Sequence, residues 1–371
     1  MVIFLLVLVS CMALYNGAND VSKGVATLHG SGLCGYRGAL AWGTVWTVAG
    51  GLTAVFIASG LLKVFSKGIV ADGMNLGVNF SMAVAVGVSV WVLLSTRTGM
   101  PVSTTHSVVG AVLGPVLLSF GPSMILWQSL GYKIVIPLLL SPFAALLITS
   151  VFYRAGYGLL SRFSRYCLCF ETKTSDCCVA AGEGQLAASR GDATLSAVAG
   201  TVKGCEQDLA ASVRMDVNDI AHWVSSALIS FARALNDTPK IVAVLFASAA
   251  FTGGDLKYVF LLVALSMGLG SYLMGRRVTE TLSKKITAMD RHDSVIANLS
   301  TAFLVVFASR LGMPVSTTHV SGGSIIGVGL KRGDGSFNRN IVSGMLLAWF
   351  VTLPAAGIIS AIAYVALNHI V

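Results

Sequence analysis

Long apolar runs separated by short polar segments set the pattern of this chain. At 1.5 Å per residue, a helix of about 20 apolar residues crosses the roughly 30 Å hydrocarbon layer of a bilayer. Runs of this length predict helices near 2–28, 38–62, 76–97, 124–153, 219–250, 255–276, 294–311 and 339–369. The pattern therefore predicts an all-α integral membrane protein.

One polar interruption occurs twice. The sequence Gly-Met-Pro-Val-Ser-Thr-Thr-His fills Gly99–His106 and returns unchanged at Gly312–His319, 213 positions later. Gly and Pro end a helix and Ser or Thr caps the next, so the motif predicts a helix start with free backbone N–H groups. Such a break within membrane-length apolar sequence is tolerated only where it is buried in protein or lines a cavity. The motif indicates a ligand site.

A second motif, Asn-Asp followed by Lys three residues after the Asp, also occurs twice. It lies at Asn19, Asp20 and Lys23, and again 217 positions later at Asn236, Asp237 and Lys240. Two motifs in the same order and at nearly the same spacing indicate a duplicated unit. We predict an N-terminal membrane repeat at 1–153, a cytoplasmic linker at 154–218 and a C-terminal membrane repeat at 219–371.

The two repeats are predicted to have inverted topology. Each repeat combines transmembrane helices with a re-entrant helical hairpin around the Gly-Met-Pro break, and the two arms of a hairpin add an even number of crossings. Each unit then crosses an odd number of times, so the second unit lies upside down relative to the first. This plan is common among secondary transporters.

Charge fixes the expected orientation. Charged residues are only 11% of the chain, and seven lysines and arginines lie in 154–218. The positive-inside rule places this linker in the cytoplasm and both termini outside. The net charge of +9 is thereby explained by loops, and without a basic patch carrying aromatics we expect no nucleic acid partner. We expect a multi-pass protein of the plasma or inner membrane, in contact with lipid.

The termini and linker offer little chemistry. The N-terminus lacks a basic leader and a small-residue cleavage site, so we expect a retained first helix. From Ala180 to Ala211 the linker is rich in Ala, Gly and Ser, which predicts a flexible or weakly helical segment. Four cysteines cluster at 167–178 without nearby histidine or a paired CxxC, which favours reduced thiols over a zinc site.

The repeated motifs suit a small oxyanion with an accompanying cation. Hydroxyls and N–H groups at a helix N-terminus bind a tetrahedral oxyanion, aided by the helix dipole. Asp20 and Asp237 would repel an anion, so we expect them to bind sodium or carry protons, with Asn19 and Asn236 as further ligands. The alternative is that these buried polar residues only hold helices together.

Other charged residues near the motifs leave two roles open, direct anion contact or a purely electrostatic or interfacial role. They are Lys23, Arg97, Arg233, Lys240 and Arg310. His106 and His319 titrate near neutrality, but we favour a hydrogen bond to the break over a role in pH coupling.

The motifs resemble those of the inorganic phosphate transporter (PiT) family. Gly17-Ala18-Asn19-Asp20-Val21, Asn236-Asp237 and the doubled Gly-Met-Pro-Val-Ser-Thr-Thr-His carry the resemblance, which covers all but the linker. It implies a symporter that imports inorganic phosphate with sodium or protons, needs no other cofactor and is commonly a homodimer. It also implies a substrate-binding set, which by position is Asn19, Asp20, Ser103, Thr104, Thr105, Asn236, Asp237, Ser316, Thr317 and Thr318.

The chain departs from the family pattern at one point. Many members have His-Gly before the second Asn-Asp, where this chain has Arg233-Ala234-Leu235. Because the family includes sulfate transporters and proton-coupled members, a permease for sulfate or another oxyanion is the alternative. A channel is a second rival. We predict no enzymatic activity, since a Ser and a His three residues apart on a helix start do not form a catalytic triad.

Overall fold

Helices account for most of the computed structural model, which describes residues 1–71, 76–163, 166–181, 185–201, 211–246, 256–285, 290–332 and 339–370. In the first half they are α1 (Val2–Gly30), α2 (Tyr36–Ile57), α3 (Ser59–Lys67), α4 (Val78–Thr98), α5 (Thr104–Ser119), α6 (Trp127–Leu130) and α7 (Ile136–Phe163). In the second half they are α8 (Val217–Phe246), α9 (Leu256–Met274), α10 (Arg276–Lys285), α11 (Arg291–Arg310), α12 (Thr317–Arg332) and α13 (Arg339–Ile370). A π-helical turn, Gly131–Val135, joins α6 to α7.

Each predicted apolar run contains a helix among its described residues, and the protein is a multi-pass membrane protein. Seven of the described helical segments are long and apolar enough to cross a bilayer. The eighth predicted run forms α8, which is continuous for 30 residues through the second Asn-Asp motif. Helix α1 is likewise continuous through the first Asn-Asp motif.

The linker departs from the prediction. It forms three antiparallel strands, β1 (Tyr166–Ala181), β2 (Gln185–Thr201) and β3 (Ala211–Asp216), in the order β2-β1-β3. Within the segment expected to be flexible or weakly helical, residues 180–181, 185–201 and 211 are in strands, so the expectation was wrong there, and the fold is not purely α. The rest of that segment lies outside the described residues. Backbone pairing satisfies N–H and C=O groups whatever the side chains are, so a composition poor in aromatics did not exclude a sheet.

The linker cysteines also differ in part from the prediction. Cys167, at the start of β1, is disulfide-bonded, so the expectation of reduced thiols was wrong for this residue. Cys11 and Cys34 are free.

The two halves of the sequence share one core. Helix α1 packs against α9, and its counterpart α8 packs against α2. Helix α5 packs against α13, and its counterpart α12 packs against α7. Each of these contacts between the halves is thus matched by a contact between the corresponding helices with the halves exchanged. The central helices α1 and α8 also touch each other, which brings the two Asn-Asp motifs together.

Glycines allow these helices to approach closely. A Cβ added at Gly270 of α9 would lie 1.8 Å from the carbonyl oxygen of Leu14 in α1. A Cβ added at Gly50 of α2 would lie 2.2 Å from the carbonyl oxygen of Phe231 in α8. These matched positions seat one helix directly on the backbone of the next, so a side chain at either would force the pair apart.

We expect Gly270→Ala to destabilise the folded protein by more than about 1–3 kcal/mol, the usual effect of overpacking. Gly158→Ala is the control, because a Cβ there meets nothing within 4 Å. Ala is favoured over Gly in a helix by about 1 kcal/mol, so this change should stabilise. Thermal unfolding in detergent, followed by size-exclusion fluorescence, compares the two. Equal stability of the two variants would contradict the close packing of α1 and α9.

Candidate functional site

The two Gly-Met-Pro motifs form helix starts, as predicted. In the first break (Gly99–Ser103), Gly99 ends α4 with φ 74°, and the Ser103 hydroxyl accepts the backbone N–H of His106 at 3.3 Å. The second break (Gly312–Ser316) has the same construction, with Gly312 at φ 68° and the Ser316 hydroxyl accepting the N–H of His319 at 3.3 Å. Glycine suits a positive φ because it has no Cβ to clash.

The two breaks meet. The Thr105 hydroxyl donates to the carbonyl of Val315 at 3.1 Å, and the Thr318 hydroxyl donates to the carbonyl of Val102 at 2.8 Å. Each break therefore receives a hydrogen bond from the helix that follows the other break. The ring centroids of His106 and His319 lie 4.7 Å apart, so the two helices that follow the breaks are also in contact through these side chains.

The two asparagines hold the breaks against α1 and α8. The Asn19 carboxamide donates to the Met100 carbonyl at 3.0 Å and accepts the N–H of Val102 at 3.1 Å. The Asn236 carboxamide donates to the Val315 carbonyl at 3.1 Å and accepts the Ser309 hydroxyl at 3.3 Å. Their contacts in this structure position the backbone of the two breaks.

Asp20 forms a buried ion pair with a lysine one turn away. The Lys23 ammonium donates to Asp20 Oδ1 at 2.6 Å and to Thr317 Oγ1 at 2.9 Å, and Thr317 Oγ1 donates to Asp20 Oδ2 at 3.2 Å. This triangle links α1 to the helix start after the second break.

Asp237 has the matching ion pair in the other half. The Lys240 ammonium donates to Asp237 Oδ1 at 3.0 Å and to Thr105 Oγ1 at 2.6 Å. Asn16 closes this side: its Nδ2 donates to Thr104 Oγ1 at 2.5 Å and lies 3.5 Å from Asp237 Oδ2. The second Asn-Asp motif therefore reaches the helix start after the first break.

Arg233 is the third buried cation. It lies one turn before Asp237 on α8, is 1% exposed, and donates to the hydroxyls of Thr47 and Ser271. Its Nε and Nη1 have no hydrogen-bond partner among the described residues. Asp237 is ion-paired with Lys240 and not with Arg233, so the guanidinium keeps donors for another acceptor.

The structure brings the ten predicted site residues into one closed region, since none is more than 5% exposed. Arg97 and Arg310 are exposed and lie outside it. His106 Nδ1 lies 2.8 Å from Ser103 Oγ, which confirms the expected hydrogen bond to the break. His319 differs, because its Nδ1 lies 3.4 Å from the Leu138 carbonyl.

Sequence reasoning left several polar residues out of the predicted site. Asn16 lies on the same helical stripe as Asp20 and Lys23, and that spacing is a signal that could have included it. Thr96 and Ser309 occupy equivalent positions in the two halves and bond the two asparagines. Thr47 and Ser271 carry no signal in the sequence, because only the packing of α2 and α9 against α8 brings them to Arg233.

The chemistry of this region is that of an enclosed polar site inside an apolar protein. Threonine hydroxyls and helix-start N–H groups can donate to an oxyanion. Two carboxylates and three basic side chains lie among them, and buried charges in membrane proteins mark substrate or ion pathways. We find no arrangement of a nucleophile with a base and an orienting carboxylate among these residues.

Known proteins similar to this chain are phosphate carriers by name. A profile of the Phosphate transporter family matches residues 16–360. A "Putative phosphate permease" of Pyrococcus furiosus is 29% identical over 96% of this chain and 93% of its own length. A "Probable low-affinity inorganic phosphate transporter" of Mycobacterium bovis is 26% identical over 98% of this chain and 77% of its own length. The solved structure of "The sodium-dependent phosphate transporter" matches 100% of this chain with a TM-score of 0.76 at 23% identity, a likeness in fold.

Proposed function

The chain belongs to the phosphate transporter family, and we propose that it imports inorganic phosphate across the membrane together with a cation, sodium or proton. One observation carries this proposal: threonines at both helix starts lie beside two buried carboxylates, since the Thr317 hydroxyl donates to Asp20 and the Thr105 hydroxyl shares the Lys240 ammonium with Asp237. The family and the fold point to a transporter and not to an enzyme. The sulfate alternative gains no support from the similar proteins.

We propose that the ten residues of the predicted set bind the substrate and that Asn19, Asp20, Asn236 and Asp237 couple the cation. Hydroxyls that only held helices together could lie at any buried position along a helix. These hydroxyls instead lie at two helix starts, where N–H groups and the positive end of the dipole favour an anion.

We further propose that 1–153 and 219–371 are inverted repeats joined by the linker at 154–218, each with a re-entrant hairpin. The reciprocal packing of corresponding helices, α1 with α9 and α8 with α2, supports this arrangement. Helices α5 and α12 have 16 residues each, about 24 Å, which is shorter than the hydrocarbon layer. Membrane lipid and a second copy of the chain complete the proposed partners.

A carrier suits the closed site better than a channel does. Every proposed binding residue is buried, so phosphate can enter only when the two breaks separate from α1 or α8. Alternating access by movement of one repeat against the other supplies that opening on one side at a time.

The test is uptake of labelled phosphate into proteoliposomes. We expect accumulation above equilibrium when a sodium or proton gradient is imposed, and competition by unlabelled phosphate. Uptake that excess phosphate leaves unchanged but sulfate abolishes would contradict the substrate. Uptake that never exceeds equilibrium under any gradient would indicate a channel.

We expect Thr104→Val and Thr317→Val each to weaken the apparent affinity for phosphate by about 5- to 150-fold, because removing one buried hydrogen-bond partner costs about 1–3 kcal/mol. Both hydroxyls bond groups of the Asn-Asp helices. Thr53→Val is the control, since that hydroxyl bonds only its own helix at Ala49. Apparent KM from initial uptake rates decides, and an unchanged KM in both site variants would mean that the hydroxyls serve packing alone.

A further inference from the structure

The ammonium group of Lys240 sits in a cage of oxygens. It lies 3.0 Å from Asp237 Oδ1, 2.6 Å from Thr105 Oγ1 and 3.1 Å from the Val315 carbonyl oxygen. An ammonium has three N–H donors, and each has an acceptor here. A carboxylate, a hydroxyl and a backbone carbonyl at a broken helix are also the ligands with which transporters bind sodium.

Lys23 repeats the arrangement in the other half. Its ammonium lies 2.6 Å from Asp20 Oδ1 and 2.9 Å from Thr317 Oγ1. In both halves the lysine follows its aspartate by three residues and bridges to a threonine after the break of the opposite half. Both ammonium groups are buried, with side-chain exposures of 2% and 0%. Each of the two carboxylates therefore has the ammonium group of a lysine on its own helix as its cationic partner.

The charge balance around Asp20 and Asp237 also disfavours binding of a further cation. Asp20 and Asp237 interact electrostatically with Arg233 as well as with the two lysines. Three cations face two carboxylates, which leaves one positive charge in excess before any ion enters. A buried excess charge is unfavourable unless a counter-ion compensates it. A phosphate anion supplies that compensation, whereas a sodium ion would add to the excess.

We propose that Lys23 and Lys240 take the place of sodium in this protein, so that phosphate uptake is coupled to protons and does not depend on sodium. This inference rests on the proposed phosphate transport and decides between the two coupling ions it left open. Lys23 and Lys240 are then the residues that determine ion specificity.

The first experiment measures uptake by the wild-type protein in proteoliposomes under separate gradients. With sodium replaced by choline throughout, we expect an inward proton gradient to drive phosphate accumulation at an unchanged rate. An inward sodium gradient at equal pH should drive none. Accumulation driven by sodium would overturn the inference and leave phosphate transport intact. Absence of accumulation under both gradients would overturn the proposed symport itself.

The second experiment removes one built-in cation. In Lys240→Ala, the oxygens of Asp237, Thr105 and Val315 lose their ammonium, and the carboxylate becomes an unpaired buried charge. We expect sodium, compared with choline, to raise the unfolding temperature of this variant and to raise its uptake by more than about 100-fold, since an unpaired buried charge is strongly unfavourable. The wild-type protein should show neither response.

Lys133→Ala is the matched control, because Lys133 is exposed and should leave the protein indifferent to sodium. Lys23→Ala should behave as Lys240→Ala does. Folded Lys240→Ala protein that ignores sodium in both measurements would contradict the assignment. If that variant does not fold, a sodium-induced shift in the unfolding temperature of the wild-type protein would still contradict it, and indifference would support it.

Discussion

Asp237→Asn is expected to abolish phosphate uptake, with a fall of at least about 100-fold in the initial rate. The substitution keeps the shape of the side chain but leaves the Lys240 ammonium buried without its charge partner. Breaking a buried ion pair by removing one member costs about 3–5 kcal/mol. Asp20→Asn should have the same effect through Lys23. Labelled phosphate uptake in proteoliposomes, normalised to folded protein, measures both.

Two further variants separate loss of transport from loss of folding. Replacing both members of a buried ion pair is often neutral for stability, so Asp237→Asn combined with Lys240→Met should recover folded protein without recovering uptake. Glu280→Gln is the control carboxylate, because it removes an exposed ion pair with Arg276, and such pairs contribute about 0–1 kcal/mol. Wild-type uptake by folded Asp237→Asn protein would refute the role of this carboxylate.

The membrane helices could be read from the sequence because their lengths are set by the bilayer. The run predicted at 2–28 became α1 (Val2–Gly30), and the run predicted at 339–369 became α13 (Arg339–Ile370). In lipid, every backbone group must be satisfied within the segment, so a sufficiently long apolar run has little choice but to be a helix. The positions of the membrane helices could therefore be predicted from local sequence alone.

The linker sheet could not be read in the same way. Strand β1 pairs with β2 and also with β3, where Cys167 lies opposite Asp216. The pairing of β1 with β3 joins segments far apart in the chain. Neither of these two strands shows the alternating apolar pattern that marks a strand with one buried face. Composition alone then favoured the wrong state.

The candidate site was predictable as a set of residues but not as a set of contacts. The doubled motifs identified the threonines and aspartates because duplication makes a pattern visible in a single sequence. That Lys240 meets Thr105, 135 positions away, and that Lys23 meets Thr317, 294 positions away, depends on how the halves pack. The sequence therefore could not decide whether Lys23 and Lys240 contact the anion or pair with an aspartate. In the structure both lysines form ion pairs with aspartates.

Arg233→Gln is expected to weaken phosphate binding by about 30-fold or more, which corresponds to about 2 kcal/mol or more. The guanidinium is 1% exposed, and its Nε and Nη1 have no hydrogen-bond partner among the described residues, so it has unused hydrogen-bonding capacity one turn before Asp237. Truncating one side of a buried, hydrogen-bonded charge contact costs about 2–5 kcal/mol. The substitution also removes the excess positive charge that an entering anion would neutralise. Apparent KM for uptake and phosphate-induced stabilisation against heat both report the loss.

Arg310→Gln is the matched control, and it makes the prediction specific to burial. Both arginines lie in the second half near a repeated motif, and on sequence grounds both are candidate anion contacts. Arg310 ends α11 at an exposed position outside the closed region, so its loss should leave the KM within about twofold, as for most surface substitutions. Arg233→Lys should retain part of the affinity, because it keeps the charge but not the planar donor geometry. A rise in KM for Arg310→Gln equal to that for Arg233→Gln would mean that phosphate binds at the exposed end of α11 and not beside Asp237.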